Sequence, residues 1–145
     1  MPLHMLKLCV GADSIADLEE WVTERVAERL RAGGSPRSQH VTRMVPKRVA
    51  ELLDGGSLYW VIKGQIAARQ RLLDLEPFVD VDGIRRCRLW LDPEVVHVSP
   101  RPFRAFQGWR YFQANDAPAD LADVGFGMDE MPEELRRTLG ELGLL

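Results

Sequence analysis

The sequence predicts one compact α+β domain: a mostly antiparallel, curved sheet, or a small partly open barrel, with two to three helices against it. Three observations predict it. Short runs between residues 3 and 112 alternate apolar and polar side chains with period two, the mark of strands with one buried face. A single long stretch, about Ile15 to Ala32, repeats at helical spacing instead. Asp-Gly and Gly-Gly pairs separate the runs at hairpin-like intervals. The 145 residues suit a single domain, residues 1–145, with its core at about 3–112 and an acidic C-terminal extension at 113–145.

Leu3 to Val10 is mostly apolar on both alternating sets and closes on Gly11, which predicts a central strand. Ser14 caps the long helix, with Asp17 three residues on as in a capping box. Its apolar stripe is Ile15, Leu18, Val22, Val26 and Leu30, with Trp21 on the flank, and Gly33-Gly34 stops it. Gln39 to Met44 reads as a second strand. Pro46 suits the first position of a short helix ending near Leu53. After Asp54-Gly55-Gly56 the run Ser57 to Lys63 is rich in β-formers. Gly64 interrupts or bends it. Gln65 to Leu75 is read as a strand from its alternation, although its Gln and Arg residues also suit a helix. Asp82-Gly83 marks a hairpin turn into a strand from Ile84 to Leu91. Val95 to Val98 is a short strand, Pro100 and Pro102 force an extended link, and Ala105 to Phe112 is the last strand. Leu121 falls in a short helical turn, and Pro132 opens a short terminal helix. About five or six strands result.

Charge is uneven. The net is −2 over residues 1–35, +5 over 36–110 and −6 over 111–145, within a total of −3. So small a total argues against bulk polyanion binding. The basic middle predicts either solvated charge or a pocket for an anionic ligand, with the acidic tail beside it. No run approaches the roughly 18 apolar residues of a membrane helix, and the N-terminus does not read as an export signal. A cytoplasmic protein with no membrane partner is expected, with Cys9 and Cys87 as reduced core thiols.

Motifs for chemistry are scarce. His4, His40 and His97 stand in no metal-ligand spacing, so no metal site is expected, and no cofactor motif is present. Gly55-Gly56-Ser57 resembles half a nucleophile elbow, but it precedes a strand and reads as a tight turn. What survives is a clustering of donors and aromatic faces. His40, Thr42, Arg43, Lys47 and Arg48 gather at a strand end and a predicted helix N-terminus, a seat for anions. Tyr59, Trp60 and Lys63 follow on the next strand. Arg101, Arg104, Gln107, Trp109 and Arg110 lie near the last one. Arginine forks bind phosphate or carboxylate, and aromatic faces stack on bases. For any single aromatic, core packing is the competing explanation.

The strings HVTRM, LLDGGSLYWVIKG and FQGWRY resemble an uncharacterised alphaproteobacterial family known only as a domain of unknown function. The resemblance covers the chain from LKLCVG to about Pro118 and implies an alphaproteobacterial cytoplasmic origin, with no activity to carry over. A weaker likeness, in the plan of elements alone, is to PUA-like modules of the ASCH and EVE types, which bind RNA or modified bases. The leading expectation is a non-enzymatic module binding a nucleotide, an RNA segment or another anion. The alternatives are a small enzyme with His40 as acid or base, clamped by Arg43 and Lys63, and a protein-interaction scaffold.

Overall fold

The computed structural model describes residues 2–104 and 106–123. The elements run β1 (Leu3–Leu8), α1 (Ile15–Arg31), β2 (Ser38–Thr42), α2 (Val49–Leu53), β3 (Ser57–Ile62), β4 (Gln65–Val79), β5 (Arg85–Leu91), β6 (Val96–Pro102) and β7 (Trp109–Gln113). Two short 3-10 turns follow, Ala114–Asp116 and Leu121–Asp123. The architecture is α+β, as expected. The expected terminal helix after Pro132 lies outside the described residues.

Seven strands form one mixed sheet in the order β2-β5-β4-β3-β1-β7, with β6 also on β4. β1 and β3 run parallel, and every other pair is antiparallel. That parallel pair needs a long crossover, and α1, β2 and α2 supply it. β4 is 15 residues long and changes partners along its length. Its first half pairs with β3 and β6, and from Leu72 it pairs with β5 after an irregularity between Leu72 and Asp74. Such a bulge bends a strand.

The bend folds the sheet over its own inner face. Three strand steps separate β2 from β3, about 14 Å in a flat sheet. Yet the His40 and Trp60 rings on those strands lie 5.1 Å apart. The segment after β2 reaches the far edge too, where the Trp109 indole N–H donates to the Met44 carbonyl at 2.7 Å. The inner face carries the larger core, including Met5, Leu58, Leu89 and Leu91 with Ile15, Leu18 and Val22 of α1. A smaller cluster of Leu6, Tyr59, Val61, Ile66, Val98 and Phe112 covers the other face. Cys9 and Cys87 are both free and buried.

Several boundaries differ from the sequence reading. α2 begins at Val49, not Pro46: Arg48, with φ −89° and ψ 54°, lies outside the helical region, and the backbone N–H groups of Lys47 and Arg48 both donate to the Tyr111 hydroxyl, at 2.9 and 3.1 Å. The predicted anion seat at that helix end is therefore already filled by a side chain. Gly64 interrupts the strand rather than bending it: Lys63 and Gly64, with φ of 48° and 76°, form a two-residue hairpin turn between β3 and β4. Pro100 and Pro102 lie inside β6, which an edge strand tolerates. β7 begins at Trp109, after Gly108 with a φ of 72°. Leu30, at the end of the expected apolar stripe, is 51% exposed.

Candidate functional site

A cavity of about 130 Å³ lies between α1 and the inner face, at the carboxyl end of β1. That is where a strand feeding a helix leaves a crevice for ligands. Register builds its floor. Lys7 pairs with Trp60 of β3 on one side and Trp109 of β7 on the other, so a tryptophan–lysine–tryptophan row crosses three strands on one face, and Lys7 and Trp60 of that row line the cavity. Helical spacing builds its roof: Leu18, Trp21, Val22 and Arg25 recur three and four residues apart and all line it. Ser38, Gln39 and His40 of β2 close the side.

An open groove of about 690 Å³ adjoins this cavity and shares Arg25, Gln39 and His40 with it. Arg29 and Glu28 of α1 extend the groove outward. Arg29 donates from a terminal nitrogen to Gln39 Oε1 at 2.7 Å. Its Nε and the Nε2 of His40 are both buried and have no hydrogen-bond partner. Buried polar atoms are nearly always paired, so two orphans beside one groove set this region apart.

Burial dominates the electrostatics. It drives the His40 pKa down to about 4, and the nearby Lys7 and Arg25 charges push the same way. The imidazole is therefore neutral at neutral pH. Burial also lowers the Lys7 pKa, against a smaller opposing effect of Cys9. The Cys9 thiol is pushed up to about 11 by burial, although Lys7 favours its thiolate. Such a thiol is a poor nucleophile at neutral pH.

The residues singled out from the sequence separate into several places, and of them only His40 and Trp60 line the cavity. Thr42 is buried and donates to the Met44 carbonyl. Arg43 and Lys47 are exposed in the segment after β2. Arg48 pairs with Glu51 and lies 5.5 Å from the Tyr111 ring centre. Tyr59 is buried on the opposite face, edge-on to His4 and Phe112. Lys63 is an exposed turn residue. Arg104 and Gln107 are exposed in the loop before β7. Trp109 is buried in the inner core. Arg110 is the next residue along β7, so it faces the other way, over the Phe106 ring at 4.6 Å. The structure therefore does not bring Arg43, Lys63 and Arg110 into one cavity with His40.

Sequence reasoning missed Lys7, Trp21, Arg25, Arg29 and Gln39. Two signals were present. A lysine sits inside an otherwise apolar central strand, and Trp21 and Arg25 stand four apart beside the buried stripe of α1.

A third concavity, about 330 Å³, holds His4, Ser57, Tyr59, Arg69 and Asp120. Its hydrogen bonds argue against a nucleophilic serine. The Ser57 hydroxyl accepts from Arg69 at 3.0 Å, and His4 Nδ1 accepts from the Ser57 backbone N–H rather than from the hydroxyl.

Fold and site together define a class: an α+β domain whose curved mixed sheet holds a ligand-sized cavity under its long helix. The chain belongs to the family described as "Protein of unknown function (DUF1489)", whose model matches residues 5–145. No curated protein and no solved structure matches it, and the PUA-like likeness is not confirmed.

Proposed function

We propose that the chain is a binding module whose cavity under α1 holds a small anion bearing a planar ring, of which a nucleotide is the leading case. The ring enters the closed part, beside Trp21 and Trp60. Its volume, about 130 Å³, approaches the roughly 150 Å³ cavity that takes a benzene ring elsewhere. The anionic group lies at the rim, where Lys7, Arg25 and His40 meet. The observation that carries this reading is the His40 Nε2: buried, unpartnered, and at the boundary shared by cavity and groove.

Calorimetric titration with nucleoside monophosphates, inorganic phosphate and benzoate tests it. Ring-bearing anions should bind more tightly than phosphate alone. Arg25→Ala and His40→Gln should each weaken binding by about tenfold or more, the scale of one charge-assisted or buried hydrogen bond. Arg43→Ala and Lys63→Ala should leave it unchanged. Absence of saturable binding across the panel overturns the reading.

A further inference from the structure

We infer that the groove continues as a track for single-stranded nucleic acid, so that the cavity holds one unit of a longer strand. This rests on the cavity reading above and extends it to the outer surface of β2 and β5. The observation is a stack of guanidinium groups on one indole. The guanidinium carbons of Arg37, Arg29 and Arg88 lie 4.2, 4.7 and 5.9 Å from the centre of the Trp90 ring. Arg88 also lies 4.4 Å from the centre of the Phe78 ring.

Arg29 joins the two regions. It lines the groove beside His40 and also stacks on Trp90. The path therefore runs from the cavity past Arg25 and Arg29 to Arg37, Trp90, Arg88 and Phe78. Some of its charge is already answered: Arg88 pairs with Glu76, whose carboxylate also feels the Arg37 charge, and Glu28 lines the groove. Arg25, Arg29 and Arg37 make no ion pair among the described residues. Arg29 gives one terminal nitrogen to Gln39 and Arg37 gives its Nε to Ser35. A guanidinium lying over an aromatic ring keeps its remaining N–H groups for phosphate, and the ring limits the freedom it would lose on binding.

The track thus offers one ring site in the cavity and, beyond it, guanidinium groups held on rings. A single strand brings a base to the first and phosphates to the rest. An acidic peptide would match the charges but bring no ring for the cavity. The small overall net charge of −3 is no obstacle, because the contact is local.

Fluorescence anisotropy with a labelled strand of about ten uridines, beside calorimetry with uridine monophosphate, tests the track. The strand should bind at least about tenfold more tightly than the monophosphate and should weaken with added salt. Arg37→Ala should remove most of that advantage and leave monophosphate affinity unchanged. Trp90→Ala should do the same if circular dichroism shows it folded, and Arg37→Ala decides the matter if it is not. Monophosphate binding with no gain for the strand overturns the track and leaves the cavity reading standing. Failure of both ligands overturns both. Competition by an oligo-glutamate peptide as effective as by unlabelled strand overturns the nucleic-acid assignment.

Discussion

The His40 imidazole stands edge-on to the Trp60 indole, at an interplanar angle of 86°, although β5 and β4 lie between their strands in the sheet. The contact shows how far the sheet bends, and it places a titratable ring in a largely apolar enclosure. Edge-to-face packing of this kind contributes about 0.5–1.5 kcal/mol beyond area burial.

That enclosure makes stability depend on pH. The His40 pKa falls from 6.5 in the open chain to about 4 in the fold. Between those values the unfolded chain holds a proton that the native chain lacks, so protons favour unfolding. Stability is fully present above about 6.5 and declines as the pH falls towards about 4, by a total on the order of 3 kcal/mol. His4, also lowered by burial, adds to the decline in the same direction. The carboxylates of Asp80 and Asp120, lowered by Arg86 and Arg69, lose their contributions below 3.8, largely beneath this window. Urea melts from neutral pH down to about pH 4.5 should show a shallower decline for His40→Gln than for wild type. Equal slopes would show that His40 is not held neutral.

Two adjacent glycines should behave differently. A Cβ on Gly56 would lie 2.2 Å from the Leu52 carbonyl oxygen and 2.3 Å from that of Leu3, both backbone atoms. Gly56 lets α2 close onto the start of β3, and its own N–H donates to Leu52 O at 3.0 Å. Neither backbone can retreat without breaking the α2 end or β1. Gly55 has open space, its nearest neighbour 3.9 Å away, but a φ of +85°. Gly55→Ala should cost about 1 kcal/mol of backbone strain. Gly56→Ala should cost several times that, about 3 kcal/mol or more. Thermal melts of the two variants compare them directly, and equal losses would contradict the close approach.

Much of this fold was legible in the sequence, and the reason is local. The Ser14 cap, with Asp17 N–H donating to its hydroxyl at 3.2 Å, needs no distant partner. The alternation of Cys87, Leu89 and Leu91 with Arg86, Arg88 and Trp90 declares the buried face of β5 by itself. The candidate site was less legible because it is made by register and curvature. Nothing near Lys7 in the chain announces that Trp60 and Trp109 flank it. His40 was found from its donor-rich neighbours, yet Arg43, Lys47 and Arg48 leave the cavity as the chain crosses to β7. Clustering in sequence took the wrong neighbours for His40, since β2 ends at Thr42.

Tyr111 holds that crossing segment. Its hydroxyl accepts two backbone N–H groups, from Lys47 and Arg48, and its ring meets Trp109 edge-on at 4.9 Å. Tyr111→Phe keeps the ring and removes the acceptor. Both N–H groups lie at exposed residues, where water replaces part of the loss. The cost should be about 1 kcal/mol, not the larger penalty of a buried orphan. Hydrogen exchange at residues 47 and 48 should accelerate, while ligand binding under α1 stays unchanged. Unaltered exchange at both positions would mean that the hydroxyl does not hold this segment.

Lys7 offers the sharpest separation between a structural and a binding role. It is half-buried, flanked by Trp60 and Trp109, with its ammonium partly desolvated. No carboxylate pairs with it among the described residues. An unpaired, partly desolvated charge contributes nothing obvious to stability, and a methionine of similar length would fill the same space without the desolvation cost. Lys7→Met should therefore leave the melting temperature unchanged or raise it. Removing Lys7 also removes one of the two cations that depress the His40 pKa, so that value should rise, within the limit set by burial. Anion affinity in the cavity should fall by about tenfold to a hundredfold, the scale of one hydrogen bond to a charged group. Gain or retention of stability with loss of binding is the signature of a residue kept for function. Loss of stability with binding intact would make Lys7 a structural residue and move the anion's contacts to Arg25 and Arg29. Melting curves, calorimetry and the His40 titration by nuclear magnetic resonance on this one variant decide between the two.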